Sequence, residues 1–171
     1  MNPENTMNTQ PKTAPGGLSA LGLKLLAMAL MLCDHLWASV ASDQAWLTHI
    51  GRIAFPIFAF QIAEGFARTH DRKRYLLRML AFAAVSEIPF NLFYAGTAVY
   101  PFHQNVMFTF VLAILLLLGV EKFRKKGNIP YLLAAAFAVL LVYALGTVTM
   151  VDYYGCGVMT VLLFYFCRGW K

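Results

Sequence analysis

Apolar runs about as long as a bilayer is thick recur along this chain, and they constrain its fold more than any motif does. A hydrocarbon core of about 30 Å is crossed by a helix of about 20 residues rising 1.5 Å each. Six such segments are expected: 21–40, 50–67, 75–95, 105–120, 130–150 and 151–167. The fourth and sixth are short, and only a turn near Asp152 separates the fifth from the sixth. Of the 171 residues, 60% are hydrophobic and 13% charged, whereas a soluble domain carries about a quarter charged and about half apolar residues. The expected fold class is an all-α integral membrane protein, a bundle of about six transmembrane helices. Residues 1–17, rich in Asn, Pro, Thr and Gly, read as a disordered tail ahead of a transmembrane domain over 18–171. The first apolar run is too long for a signal-peptide core and no clear cleavage site follows it, so it is expected to be retained as a helix. Cys33, Cys156 and Cys167 follow no metal or redox spacing and are expected to be packing residues.

Basic residues set the expected orientation, because Lys and Arg accumulate in cytoplasmic loops. The second and third segments are joined by "RTHDRKRYLLR", and the fourth and fifth by "EKFRKKG". Lys12 and Lys24 precede or begin the first segment, and Arg168 and Lys171 follow the sixth. A six-helix path puts all of these on one side and both termini in the cytoplasm. The opposite loops, "ASDQAWLTH", "GTAVYPFHQ" and "VDYYG", contain no Lys or Arg. Of the 14 basic residues, only Arg52 falls at the outer end of a segment. The net charge of +6 follows from this asymmetry, and no interleaving of aromatic and basic residues suggests nucleic acid as a partner. The lipid bilayer is the expected surrounding, and oligomeric state is left open.

Charged groups at membrane depth cost about 2.5–3.5 kcal/mol on insertion scales and usually face a bundle interior. "MLCDHLW" places Asp34 beside His35 in the outer third of the first segment, and a short outer loop brings Arg52 to the same level. Arg52 is expected to hold Asp34 anionic, and Asp34 to support His35 as a general base. The competing reading is an ion pair fixing two helices in register. In the second segment Pro56 is expected to kink the helix, and Gln61, Glu64 and Arg68 form a polar stripe in which Glu64 and Arg68 pair. In the third, Glu87 lies centrally, on one face with Asn91. His103 and Asn105 mark the outer entrance of the fourth segment, and Asp152 is expected to start the sixth helix. The four histidines lack metal-ligand spacing, so no metal is expected. The unusual chemistry is thus expected in the first three segments, with the last three completing the bundle.

The strings "LKLLAMALMLCDHLW", "GRIAFPIFAFQIAEGFARTHDRKRYLLRML", "SEIPFNL", "NVMFTF" and "DYYGCGVMTVLLFYF" resemble the TraX family of bacterial membrane proteins, from about Leu23 to Phe166. The resemblance implies acetylation of a pilin N-terminus in conjugation, and kinship with transmembrane acyltransferases of the cytoplasmic (inner) membrane. These move an acyl group from cytoplasmic acyl-CoA to an acceptor peptide or glycan at the outer face. It implies His35 as the essential histidine with Asp34 beside it, and Arg52, Glu64 and Glu87 within the matching strings. Family members continue beyond the "DYYG" helix. On this reading acetyl-CoA is the acyl donor, and Arg68, Arg72, Lys73, Arg74 and Arg78, with Glu64, would line its binding site. His103 and Asn105 would meet the acceptor, and His35 would act as general base or form an acyl-histidine. Arg52 or Asn105 would stabilise the oxyanion. A small proton-coupled transporter and a non-catalytic pilus or envelope assembly partner are the alternatives.

Overall fold

The computed structural model describes residues 18–124, 126–148 and 151–168. The tail expected over 1–17, with Lys12, lies outside the described residues, as do Lys125, Lys171 and the expected helix end at 149–150. All six apolar segments are helical, and the second is formed in two pieces. The described residues therefore contain seven helices: α1 Ala20–Ser39, α2 Ala45–Gly51, α3 Ala54–Arg68, α4 Arg72–Ala95, α5 Val106–Arg124, α6 Asn128–Val148 and α7 Tyr154–Cys167. Among the described residues four spans are long and apolar enough to cross a membrane: α1, Ala45–Arg68, α4 and α5. α7 has 14 residues and rises only about 21 Å.

The helix ends follow local chemistry. Ser19 caps α1 by accepting from the Gly22 amide, and Asp71 caps α4 by accepting from the Arg74 amide, each satisfying an orphan N–H of the first turn. Gly96 closes α4 in the left-handed conformation with φ 69°, where a Cβ would be unfavourable. The expected kink at Pro56 is instead a break upstream of it. Pro56 lacks the N–H that would reach the Arg52 carbonyl, and the chain turns at Arg52–Ile53 before α3 begins. Pro89, by contrast, lies within a continuous α4.

Two compact units divide the chain at residue 54. In the first, α1 and α2 pack through a very close approach. A Cβ on Gly51 would lie 2.5 Å from Asp34 Cβ and 2.7 Å from the Asp34 backbone nitrogen. α1 otherwise presents Leu25, Met28, Leu32 and Leu36 as an exposed apolar stripe, as a lipid-facing helix does.

The second unit holds the apolar core. Phe55, Ala59, Ala63 and Phe66 form one face of α3. They share a cluster with Phe110, Ala113, Ile114 and Leu117 of α5, Val142 of α6, and Val158, Val161 and Leu162 of α7. The spacing in each helix is that of a single helical face. Phe55 also stacks on Tyr153, ring centroids 4.0 Å apart. Cys156 and Cys167 are exposed rather than packed inside.

Candidate functional site

In the first unit the polar groups are joined by a residue that sequence reasoning passed over. Thr48 is buried, and its hydroxyl donates to Asp34 Oδ1 at 2.7 Å. The same hydroxyl accepts from Arg52 Nε at 3.5 Å. Arg52 thus reaches Asp34 through Thr48, and among the described residues no ion pair joins the two directly. The signal was available: Thr48 and Arg52 are four apart, so one helical turn aligns them. His35 Nδ1 lies 2.8 Å from the Met31 carbonyl. A carbonyl only accepts, so Nδ1 carries the proton, and in the neutral ring Nε2 is the basic atom. Asp34 is therefore committed to α2, and His35 is oriented by its own helix.

At one end of the second unit, Glu87 and Asn105 are brought together. Asn105 donates to Glu87 Oε2 from Nδ2 at 2.6 Å and from its backbone amide at 3.2 Å. Its Nδ2 also donates to the Ala83 carbonyl, and its Oδ1 accepts from the Met107 amide. Asn105 is 4% exposed, so its polar atoms serve the start of α5 and the α4–α5 contact. Glu87 meets Asn105 rather than Asn91, whose Nδ2 reaches the Ala98 carbonyl at 3.4 Å. Asn105→Ala should remove the cap and strand Glu87, lowering stability by about 2 kcal/mol. A detergent melting curve within 1 °C of wild type would contradict this.

His103 and Asp152 meet at that same end, with Nε2 and Oδ1 3.8 Å apart. Asp152 does not start the last helix: Tyr153 is the N-cap residue of α7, in the left-handed conformation at φ 62°. Asp152 Oδ1 instead accepts from the Tyr153 amide.

The opposite end of the second unit gathers the basic segments. Glu64 pairs with Arg68 at 2.7 Å, as expected, and also with Arg168 at 3.5 Å. Glu121 was not anticipated. Its side chain is 7% exposed and lies 3.3 Å from Arg72 Nη1 and 3.4 Å from Arg124 Nη1. Tyr131 donates to it at 3.5 Å, and Tyr165 adjoins it. The guanidinium of Arg72 sits 4.7 Å from the Phe66 ring centre. Its sequence signal was that it is the sole acid of "EKFRKKG". Arg74 pairs with Asp71 at 3.1 Å. Among the described residues no ion pair involves Lys73 or Arg78. The later helices therefore carry as much unusual chemistry as the first three. Gln61, on the stripe with Glu64, keeps a buried Nε2 with no hydrogen-bond partner among the described residues.

Among the described residues no three His, Cys, Asp or Glu side chains form a group fit to hold a metal ion. An apolar groove of about 460 Å³ between α5 and α6 is lined by residues such as Leu116, Phe123 and Phe137, with no titratable group.

Apolar helical spans carrying ionisable clusters at both ends of a helical unit define a membrane-type protein with built polar sites, rather than a plain anchor. The chain belongs to the TraX family, whose description, TraX protein, matches residues 19–171. It is 30% identical over 135 residues to the probable fimbrial assembly protein FimC, serogroup H1, of Dichelobacter nodosus, covering 71% of this chain and 55% of that protein. It is 32% identical over 101 residues to Protein TraX of Escherichia coli (strain K12), covering 58% of this chain and 39% of that protein. The chain thus spans about half, or less, of the curated relatives it matches. No solved structure matches it.

Proposed function

We propose that this protein is a multi-pass acyltransferase of the bacterial cytoplasmic membrane, with both termini cytoplasmic. It moves an acetyl or other acyl group from cytoplasmic acyl-CoA to an amine or hydroxyl at the outer face, a pilin N-terminus being the leading acceptor. The observation that supports the reading is the family match over residues 19–171, which takes in every expected site residue.

His35 supplies the base. Its Nδ1 is committed to Met31, so Nε2 takes the acceptor's proton as the acceptor oxygen or nitrogen bonds to the acyl carbon. The thioester C–S bond breaks, and the thiolate leaves to become the thiol. Arg52, tied to Asp34 through Thr48, is the donor for the developing oxyanion. The strip Arg68–Arg78 offers its exposed guanidinium and ammonium groups to phosphates. There Arg68, Arg72 and Arg74 already face carboxylates, so Lys73 and Arg78 are the anchors a phosphate meets without competition. The unpaired Gln61 amide suits a donor to a ligand carbonyl on the α3 stripe.

Labelled acetyl-CoA and a peptide amine, incubated with purified protein, test this. His35→Ala should lower the rate at least about 100-fold, the contribution of a positioned base, with unchanged melting. Full activity in a folded His35→Ala protein overturns the assignment.

The name of the Dichelobacter relative favours a second reading, a non-catalytic assembly partner. That reading predicts no transfer by wild type, and pilus assembly in cells that survives His35→Ala.

A further inference from the structure

The pairing that "MLCDHLW" suggests along one helix is built in the second unit from two residues far apart in sequence. His103 Nε2 faces Asp152 Oδ1 at 3.8 Å, a separation that tightens to a hydrogen bond with a small rotation, as acid–base pairs often do once substrate binds. The His103 ring is stacked on Tyr94 with centroids 4.9 Å apart, and tilted against Phe90 at 5.7 Å. Asp152 is fixed by its backbone. Its amide donates to the Gln104 carbonyl at 3.2 Å, and its carbonyl accepts from the buried Thr109 hydroxyl at 2.6 Å. Gln104 and Val151 form an isolated parallel bridge. The loop carrying the imidazole and the loop carrying the carboxylate are therefore tied to each other. Tyr153 and Tyr154, which follow Asp152, are the described non-glycine residues with positive φ, at 62° and 48°. Such conformations persist only where the surroundings impose them.

The charge around this pair is one-sided. No Lys or Arg occurs between Arg78 and Lys122, or between Lys126 and Arg168, yet Glu87 and Asp152 do. Among the described residues the titratable groups in contact with His103 are Asp152 and Tyr94, with Tyr100 beside Tyr94, and Asn105, two residues further along, holds Glu87. With Nε2–H toward the carboxylate, Nδ1 is the basic nitrogen of the neutral ring, and no described residue hydrogen-bonds to it.

We propose that His103, oriented by Asp152, takes the first proton from a protonated amine acceptor at this end of the second unit. This rests on the acyl-transfer reading with an amine as acceptor. An ammonium nitrogen must lose two protons to become an amide. Loss of the first frees the lone pair that attacks the acyl carbon. Loss of the second follows N–C bond formation, as the C–S bond breaks and the thiolate is protonated. The sum is ammonium plus thioester giving amide, thiol and one proton. Below the α-amino pKa of about 7.7–8.0 most of the acceptor still carries the first proton, so a base positioned for it raises the share of amine able to attack. His103 Nδ1 serves the first, and Asp152, as a positioning residue, stabilises the imidazolium that results. A hydroxyl acceptor has no such first proton, so for it His103 is dispensable.

The test uses the full chain in lipid nanodiscs, with labelled acetyl-CoA and a short peptide bearing a free N-terminus. His103→Gln should lower kcat/KM by about 15- to 30-fold at pH 6.5, where an α-amino pKa of about 7.7–8.0 leaves only that fraction of the acceptor unprotonated. The deficit should shrink as the pH passes the α-amino pKa of about 7.7–8.0, where the amine arrives unprotonated. A loss equal at every pH, or no loss, overturns the proposal. Asp152→Asn, which preserves shape, should show the same pH-dependent deficit in smaller measure should the glutamine variant fail to fold. Equilibrium binding separates this inference from the transfer reading. Wild type should bind the free-amine peptide about 10-fold more tightly than its N-acetylated twin, and Asp152→Asn should erase that preference. Preference without transfer refutes the transferase reading alone. Equal binding of the two peptides refutes the site.

Discussion

Replacing Gly51 with alanine is expected to destabilise the first unit by about 3 kcal/mol, the upper end of the usual overpacking range. The atoms a new Cβ would meet are Cβ, the backbone nitrogen and Cα of Asp34, at 2.5, 2.7 and 2.8 Å. None of these is the tip of a flexible side chain that swings away. Carbon–carbon contacts are comfortable near 3.5–4.0 Å, so α1 and α2 must part by about 1 Å. That separation stretches the 2.7 Å bond from Thr48 to Asp34 beyond hydrogen-bonding range and leaves a carboxylate without its partner. Arg52 then loses its route to Asp34, so the acyl transfer proposed above should fall together with stability. Gly119→Ala is the control, because a Cβ there meets nothing within 4 Å and a mid-helix Gly-to-Ala change is neutral to stabilising. Melting of the two purified variants in detergent decides it: equal melting temperatures would show that the close approach at Gly51 does not exist.

Removing the carboxylate of Glu121 should cost about 3 kcal/mol, the lower end of the range for a buried pair, because its own side chain is 7% exposed while its partners Arg72 and Arg124 are 33% and 66% exposed. Glu121, on α5, touches Arg72 of α4, Tyr131 of α6 and Tyr165 of α7. Arg72 in turn lies over Phe66 of α3. One side chain thereby ties five helices at one end of the unit. Glu121→Ala leaves two guanidinium groups and two hydroxyls without their common acceptor. Glu121→Gln keeps the shape and one acceptor oxygen, so it should cost only about 1–2 kcal/mol, the difference between charged and neutral hydrogen bonds. Reversible unfolding in graded detergent mixtures measures both. An alanine variant as stable as wild type would mean that apolar packing alone sets the helix ends.

Much of this protein's helical framework is legible in its sequence. Helix existence follows from run length and hydropathy, which act locally, so all six apolar segments form helices. The i, i+4 pair Glu64–Arg68 was equally readable, since helical geometry alone aligns it. The gathering of basic segments at one end was also foreseeable, because consecutive antiparallel helices return their connecting loops to the same level. Breaks and caps were read less well. The interruption at Arg52–Ile53 arises upstream of the proline that causes it, and Tyr153 caps α7 in a left-handed conformation that side-chain propensity does not suggest.

The partners of the ionisable groups were decided by tertiary structure. Asp34 and His35 are adjacent in sequence, but side chains about 100° apart on a helix serve different neighbours. Asp34 therefore reaches Thr48 across the gap that Gly51 keeps narrow, and His35 is oriented by Met31. His103 and Asp152 lie far apart in sequence, and they meet because Thr109 and Gln104 tie their two loops together. Glu121 resembled one more charge in a basic loop until the ends of four other helices closed around it. The sequence by itself determined which segments are apolar helices and where basic charge collects, since both follow from hydrophobic burial and chain connectivity. Which acid faces which base was settled only by packing, because ionic contacts depend on ångström-scale distances between helices that no linear spacing encodes.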